Sequence, residues 1–385
     1  MIRPSKQLAL ICAGMALIGV CYGFARFAYG LFAPLLQEEF DLDSALLGVI
    51  SAGSYLGYVL AIVASFILTN RYGARAVAVS AAAVAALGTL LVAVSTTGLM
   101  LAVGILIAGS STGLASPPMA AAIARAVEPS KQDRAQSIVN AGTGVGVLLS
   151  GPVSILLMGN WRWAWCAFAA ICLLVAWWIA VTVPQVPAAS WTSTSASLLP
   201  AGTATLMAAA LLMGMTSAAV WTFGRDVVTT RGGLGPTTST VMWTVIGLAG
   251  MLGAFSGHLT GGLGLRRSWT LVMGLLSSAT VALVLVASMP VVAYLAAGVF
   301  GASYIALCGL VLVWSTRVYQ GRPATGVGAS FMTIAVGQAI GAPVVGVLID
   351  RLDYVTAFGV CALLGFVGSA VRPAKLARDR APAGV

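Results

Sequence analysis

Twelve separate stretches of predominantly apolar residues, each long enough to cross a bilayer as a helix of about 20 residues, constrain this chain more than any other feature. Their approximate limits are 8–36, 44–68, 76–95, 99–123, 136–159, 163–183, 201–224, 239–263, 268–288, 291–315, 325–349 and 354–371. In hydrocarbon every backbone N–H and C=O must be satisfied inside the segment, and a helix does this alone. Barrel strands would alternate apolar and polar positions, and these runs do not. The predicted fold class is an all-α polytopic membrane protein with twelve transmembrane helices. Composition excludes the soluble alternatives. Only 8% of the residues are charged, against about 25% in an ordinary soluble domain. A water-facing surface, a disordered chain and a nucleic-acid binder all need more charge than this.

The formal net charge is +10, and its distribution reads as topology. With the N-terminus inside and sides alternating, the cytoplasmic segments hold Arg3, Lys6, Arg71, Arg75, Arg125, Lys131, Arg134, Arg266, Arg267, Arg317, Arg322, Arg372, Lys375, Arg378 and Arg380, which is 15 of the 20 cations. Outer segments hold Arg162, Arg225, Arg231 and Arg351, and Arg26 lies within the first run. That asymmetry places both termini in the cytoplasm and predicts a multi-pass protein of a bacterial cytoplasmic (inner) membrane. The six cysteines sit inside apolar runs without a CxxC pair and read as packing residues.

The chain repeats itself at an offset of 191. Leu68-Thr69-Asn70-Arg71-Tyr72-Gly73-Ala74-Arg75 corresponds to Leu259-Thr260-Gly261-Gly262-Leu263-Gly264-Leu265-Arg266, Gly146 to Gly337, and Pro152 to Pro343. Two six-helix halves with parallel topology are expected, 1–183 and 201–385, joined by a Pro- and Ser/Thr-rich linker over 184–200. This pattern resembles the major facilitator superfamily. That family has a loop between its second and third helices of the form G-x-L-A-D-R-x-G-R-R. Here Leu68, Arg71, Gly73 and Arg75 match it, whereas Phe66, Thr69, Asn70 and Ala74 depart. The second copy keeps Gly257, Leu259, Gly264 and Arg266, with Gly261 at the acid position. The run Gly23-Phe24-Ala25-Arg26-Phe27-Ala28-Tyr29-Gly30-Leu31, followed by Pro34, is similar to the YbfB/YjiJ-type bacterial branch. The resemblance implies a secondary transporter working by alternating access, and gating loops carried by Arg71, Gly73, Arg75, Gly264 and Arg266. In the family the loop acid helps hold the cytoplasmic side shut. Asn70 and Gly261 cannot supply that charge, so an outward-facing state is expected to be less favoured here.

Arg26 is the sharpest single residue. A lipid-facing arginine at a helix centre costs about 2.5–3.5 kcal/mol on insertion scales, so Arg26 is expected to face the bundle interior. Tyr22 and Tyr29, four residues before and three after, fall on its helical face, and Gly19, Gly23 and Gly30 leave room beside it. A guanidinium beside phenols suits a carboxylate, held through two parallel N–H···O bonds. The alternative is a structural arginine tied to backbone carbonyls or to an acid on another helix. Further candidates for the substrate site are Tyr55 on helix two, Asn140 on helix five, Trp221 on helix seven, Tyr304 on helix ten and Gln338 on helix eleven. Helices one, four, seven and ten usually line the cavity in the resembling family.

No predicted helix centre carries a carboxylate. Asp226, beside Arg225, reads as a solvated helix end, with ion coupling as its functional alternative. Without an intramembrane acid or histidine, no nucleophile–base pair or metal cluster can be assembled, so neither an enzyme nor a cofactor is expected. The predicted partners are the lipid bilayer, a small-molecule substrate, and a coupled proton or exchanged anion, with no nucleic acid and a monomeric state. The expected cargo is a small organic carboxylate or amino-acid-like anion. The alternative is efflux of amphipathic or neutral compounds.

Overall fold

The computed structural model describes residues 4–157, 160–185, 199–320 and 322–373. Most of the expected linker (residues 186–198) lies outside the described residues, as do Arg3, Lys375, Arg378 and Arg380. Every one of the twelve apolar runs is helical. Among the described residues, ten helices are long and apolar enough to span a membrane. They are α1 (Ser5–Phe40), α2 (Ser44–Tyr72), α3 (Ala74–Ala93), α4 (Gly98–Ala126), α5 (Pro129–Leu156), α6 (Trp161–Thr182), α7 (Thr203–Arg231), α9 (Ser256–Leu285), α10 (Pro290–Val318) and α11 (Pro323–Arg351). Two are shorter: α8 (Pro236–Gly250) and α12 (Tyr354–Ala370). From α8 the chain passes through a 3-10 turn (Met251–Phe255) into α9 (Ser256–Leu285), which breaks at Gly264. The eighth span ends and the ninth begins at that break.

Local chemistry sets the ends. Asp43, Thr97 and Asp353 cap α2, α4 and α12, each accepting from the backbone N–H three residues on. Prolines open α5, α8 and α10, where a missing N–H costs nothing. The α2–α3 turn needs a backbone that side-chain-bearing residues rarely adopt, and Gly73 supplies it at φ 84°, ψ 163°. Gly264, its counterpart at the 191-residue offset, adopts nearly the same conformation, φ 76°, ψ 155°.

Packing relies on bare backbone, as expected where lipid removes the hydrophobic drive between helices. A Cβ at Gly146 of α5 would collide with the Gly19 carbonyl oxygen of α1. A Cβ at Gly337 of α11 would collide with the Leu211 carbonyl oxygen of α7. The two repeat-related glycines thus make the same kind of crossing. Outward faces are apolar, as on α6 with Leu173, Leu174, Trp177 and Val181. The first six helices meet the last six along α1–α7, α2–α11 and α5–α8.

Polar contacts between the two sets of six helices gather at one end of the bundle. There Asp350 of α11 accepts from the Ser44 and Ala45 backbone amides at the start of α2, at 3.1 and 2.7 Å. Arg225 of α7 donates to the Leu31 carbonyl of α1. The Ser51 and Thr222 hydroxyls are 2.9 Å apart between α2 and α7.

Candidate substrate site at the helix crossing

Arg26 lies in a π-helical segment of α1, Gly19–Phe27. Such wide turns, bonded i→i+5, recur at functional sites. The side chain is 6% exposed and faces the protein interior. Its Nη2 donates to Gln338 Oε1 of α11 at 2.7 Å. This partner is a neutral amide, neither a backbone carbonyl nor an acid. The guanidinium carbon lies over four rings, 4.7 Å from the centroid of Tyr58, 4.8 Å from Tyr55, 5.4 Å from Phe27 and 5.7 Å from Tyr22. Ring faces carry negative quadrupole, so the cage stabilises a cation without a counter-charge, by about 0.5–2 kcal/mol per good contact. The Arg26 Nε is buried and has no hydrogen-bond partner among the described residues.

The polar chain continues across the bundle. Gln338 Nε2 donates to the Tyr304 hydroxyl of α10 and the Ser217 hydroxyl of α7, both at 3.3 Å. Beside it stands an aromatic wall. Phe27 stacks on Trp221 at 3.9 Å between centroids, and Trp221 meets Tyr304, Phe300 and Trp243 edge-on. The indole nitrogens of Trp221 and Trp243 and the hydroxyl of Ser54 are buried without a partner. The structure thus gathers Arg26, Tyr22, Tyr55, Trp221, Tyr304 and Gln338. The Tyr22 hydroxyl is 3.2 Å from that of Ser116 on α4.

Two expected members make their hydrogen bonds outside this polar chain. Tyr29 donates to the Leu47 carbonyl at 3.0 Å, toward α2. The π turn before it widens the residue spacing, so a position three residues beyond Arg26 no longer stacks beneath it. Asn140 accepts from Gln136 one turn back on α5. The glycines beside Arg26 also leave no open room. A Cβ on Gly23 would collide with the Gly146 carbonyl carbon, and one on Gly30 with the Trp221 carbonyl oxygen. Their space is filled by α5 and α7. Phe27, Phe300 and Ser217 were missed in the sequence. The helical spacing held the signal, since Ser217 and Phe300 precede Trp221 and Tyr304 by one turn.

Asp226 corrects another expectation. It is 2% exposed and Arg225 4%, so neither forms a solvated helix end. Helix α7 runs through a second π segment to Arg231, beyond the predicted limit at 224, and carries both residues inside the bundle. Asp226 Oδ2 accepts from Tyr354 of α12 at 2.7 Å and Oδ1 from Thr230 at 3.0 Å. Arg225 points the other way, to Leu31, Ser239 and Pro236. At the opposite end, Arg75 Nε donates to the Val183 carbonyl at 2.5 Å, satisfying an orphan acceptor at the end of α6. Arg71 lies over Tyr72, and Arg266 is exposed.

Helices from both ends of the sequence thus cross around a buried cation and an aromatic wall. The Major Facilitator Superfamily profile matches residues 15–335, and the chain belongs to that superfamily. Solved structures agree on the fold. A point mutant of the nucleoside transporter NupG superposes with TM-score 0.75 at 15% identity, covering 94% of this chain and 99% of that one. A bacterial homologue of the human lysosomal transporter Spinster, inward-facing and occupied, gives 0.72 at 14% identity over 96% and 97%. Its unoccupied inward-facing form gives 0.71 at 13% identity over the full length of both chains. No curated protein sequence matches the chain.

Proposed function

We propose that the protein moves a small organic carboxylate or amino-acid-like anion across the bacterial inner membrane as a monomer, by alternating access, with both termini in the cytoplasm. The observation that carries this reading is Arg26, a caged cation bonded to a neutral amide where helices from both ends of the chain cross. Its charge is supported by ring faces and is free to be neutralised by a solute. Residues 1–183 and 201–385 act as the two halves that rock about this site, and the chain falls within the YbfB/YjiJ-type branch. The end where the polar contacts gather is the closed one and faces outward, in keeping with the missing acids at Asn70 and Gly261. Asp226 is the candidate for proton coupling, a buried carboxylate whose two donors are neutral hydroxyls. Tyr354 of α12 and Thr230 face it, with Asp350 nearby on α11.

The wall of Phe27, Trp221, Tyr304 and Phe300 supports a second reading, binding of a neutral planar compound by stacking. The fold relative NupG bears the name of a nucleoside transporter. Uptake into proteoliposomes separates the two. Under the carboxylate reading Arg26→Ala abolishes anion transport, and Arg26→Lys, which keeps charge but loses the fork, lowers it at least tenfold. Anion transport unaltered by both substitutions would refute it.

A further inference from the structure

We infer that Gln338 is a built-in, neutral stand-in for the substrate's carboxylate, and that solute binding and the Arg26–Gln338 hydrogen bond exclude one another. This deepens the carboxylate reading above and rests on it. Nε–H and the Nη2 amino group of Arg26 form one edge of the guanidinium fork, the edge that a carboxylate engages with two parallel bonds. Here Gln338 Oε1 takes the Nη2 prong at 2.7 Å, and the Nε prong is buried with no hydrogen-bond partner among the described residues. One oxygen is in place where two would fit.

The other end of the amide fits the same idea. Its Nε2 donates to the hydroxyls of Tyr304 and Ser217. Either hydroxyl can donate as well as accept, so they can turn and serve an oxygen in place of an amino group. The slot occupied by the Gln338 head group is therefore complementary to a carboxylate on each side, with Arg26 on one and two hydroxyls on the other. Gln338 is wholly buried and reaches Arg26 from α11 across the meeting of the two sets of six helices. A solute carboxylate that claims both prongs must expel Oε1 and sever this tie between α1 and α11. Binding thereby loosens the two sides of the bundle where they must separate.

The test installs the carboxylate within the protein. Thermal unfolding is measured for the full-length native protein, Gln338→Glu, Arg26→Ala and the double variant. Gln338→Glu is expected to raise the apparent Tm by a few degrees when Arg26 is present and to lower it when Arg26 is Ala, because the buried acid then has no partner. With benzoate as probe, the native Tm rises on titration and the Gln338→Glu Tm stays flat. A Tm lowered equally in both backgrounds overturns the inference, as does a benzoate response unchanged by Gln338→Glu.

Should Gln338→Glu fail to fold, Gln338→Leu decides the matter. It removes the tie and the competitor together, so benzoate affinity rises several-fold. An affinity that stays the same or falls overturns the inference. The two layers fail separately. Native protein that ignores carboxylates, beside a Gln338→Glu gain that needs Arg26, refutes the anion reading while the slot stands.

Discussion

At the scale of residues, the distribution of charge inside the bundle decides what the protein can do. Arg26 and Asp226 are both buried, yet each is bonded to neutral groups. A buried ionised group costs several kcal/mol unless geometry compensates it, so neutral partners leave each group ready to exchange its charge state or its ligand. On the proposed reading the two divide the work, with Arg26 holding the solute and Asp226 the coupled proton. Asp226→Asn is accordingly expected to leave benzoate binding to purified protein within about twofold while removing the dependence of uptake on a pH gradient. Binding lost together with gradient dependence would place Asp226 in the solute site instead.

The interior position of Arg26 was legible in the sequence, because lipid cannot accept a guanidinium. Its aromatic surroundings were legible in part, through helical spacing. Gln338 stood out as a polar residue on an apolar helix, but its pairing with Arg26 spans 312 residues and follows from no local pattern. The place of Asp226 was misread because a π segment carries α7 past its hydropathic end.

At the scale of elements, the helices are positioned by absent side chains. Glycines of α5 turn one face to α1 through Gly142 and Gly146, and another to α8 through Gly144 and Gly151. A methyl at Gly146 cannot be accommodated by a side-chain rotation, because the atoms it meets are Gly19 backbone. Overpacking of this kind costs about 1–3 kcal/mol. Gly146→Ala is expected to lower the apparent Tm and the yield of monodisperse protein. Gly274→Ala on α9 meets nothing within 4 Å and gains helix propensity, so it should match or exceed native stability. Equal losses at both positions would contradict the packing account.

Helix number and span length were readable from composition, since about 20 apolar residues have few other uses. The π turns and the 3-10 turn after α8 were not. The π segment of α1 lies where Gly23 meets the Gly146 backbone of α5, and the run of apolar residues looks the same either way.

At the scale of the whole molecule, a few polar contacts tie the two sets of six helices together at one end. Asp350 caps the start of α2 from α11 with two charge-assisted bonds, aided by the positive end of the helix dipole. Such a charge–dipole contact contributes about 0.3–1 kcal/mol, enough to shift a two-state balance up to about fivefold. Asp350→Asn should therefore speed labelling of a reporter at Ser51→Cys, a buried site at that end, and slow labelling of one at the other end. Unchanged rates would show that packing alone keeps this end shut.

The account stands on a cation kept available for an anionic solute, and equilibrium binding to purified protein tests it most directly. Benzoate and its neutral amide, benzamide, are titrated against the native protein and Arg26→Ala. The native protein is expected to prefer benzoate by tenfold or more, and Arg26→Ala to lose that preference. Equal affinity of the native protein for both ligands, or a preference that survives removal of the guanidinium, would contradict it.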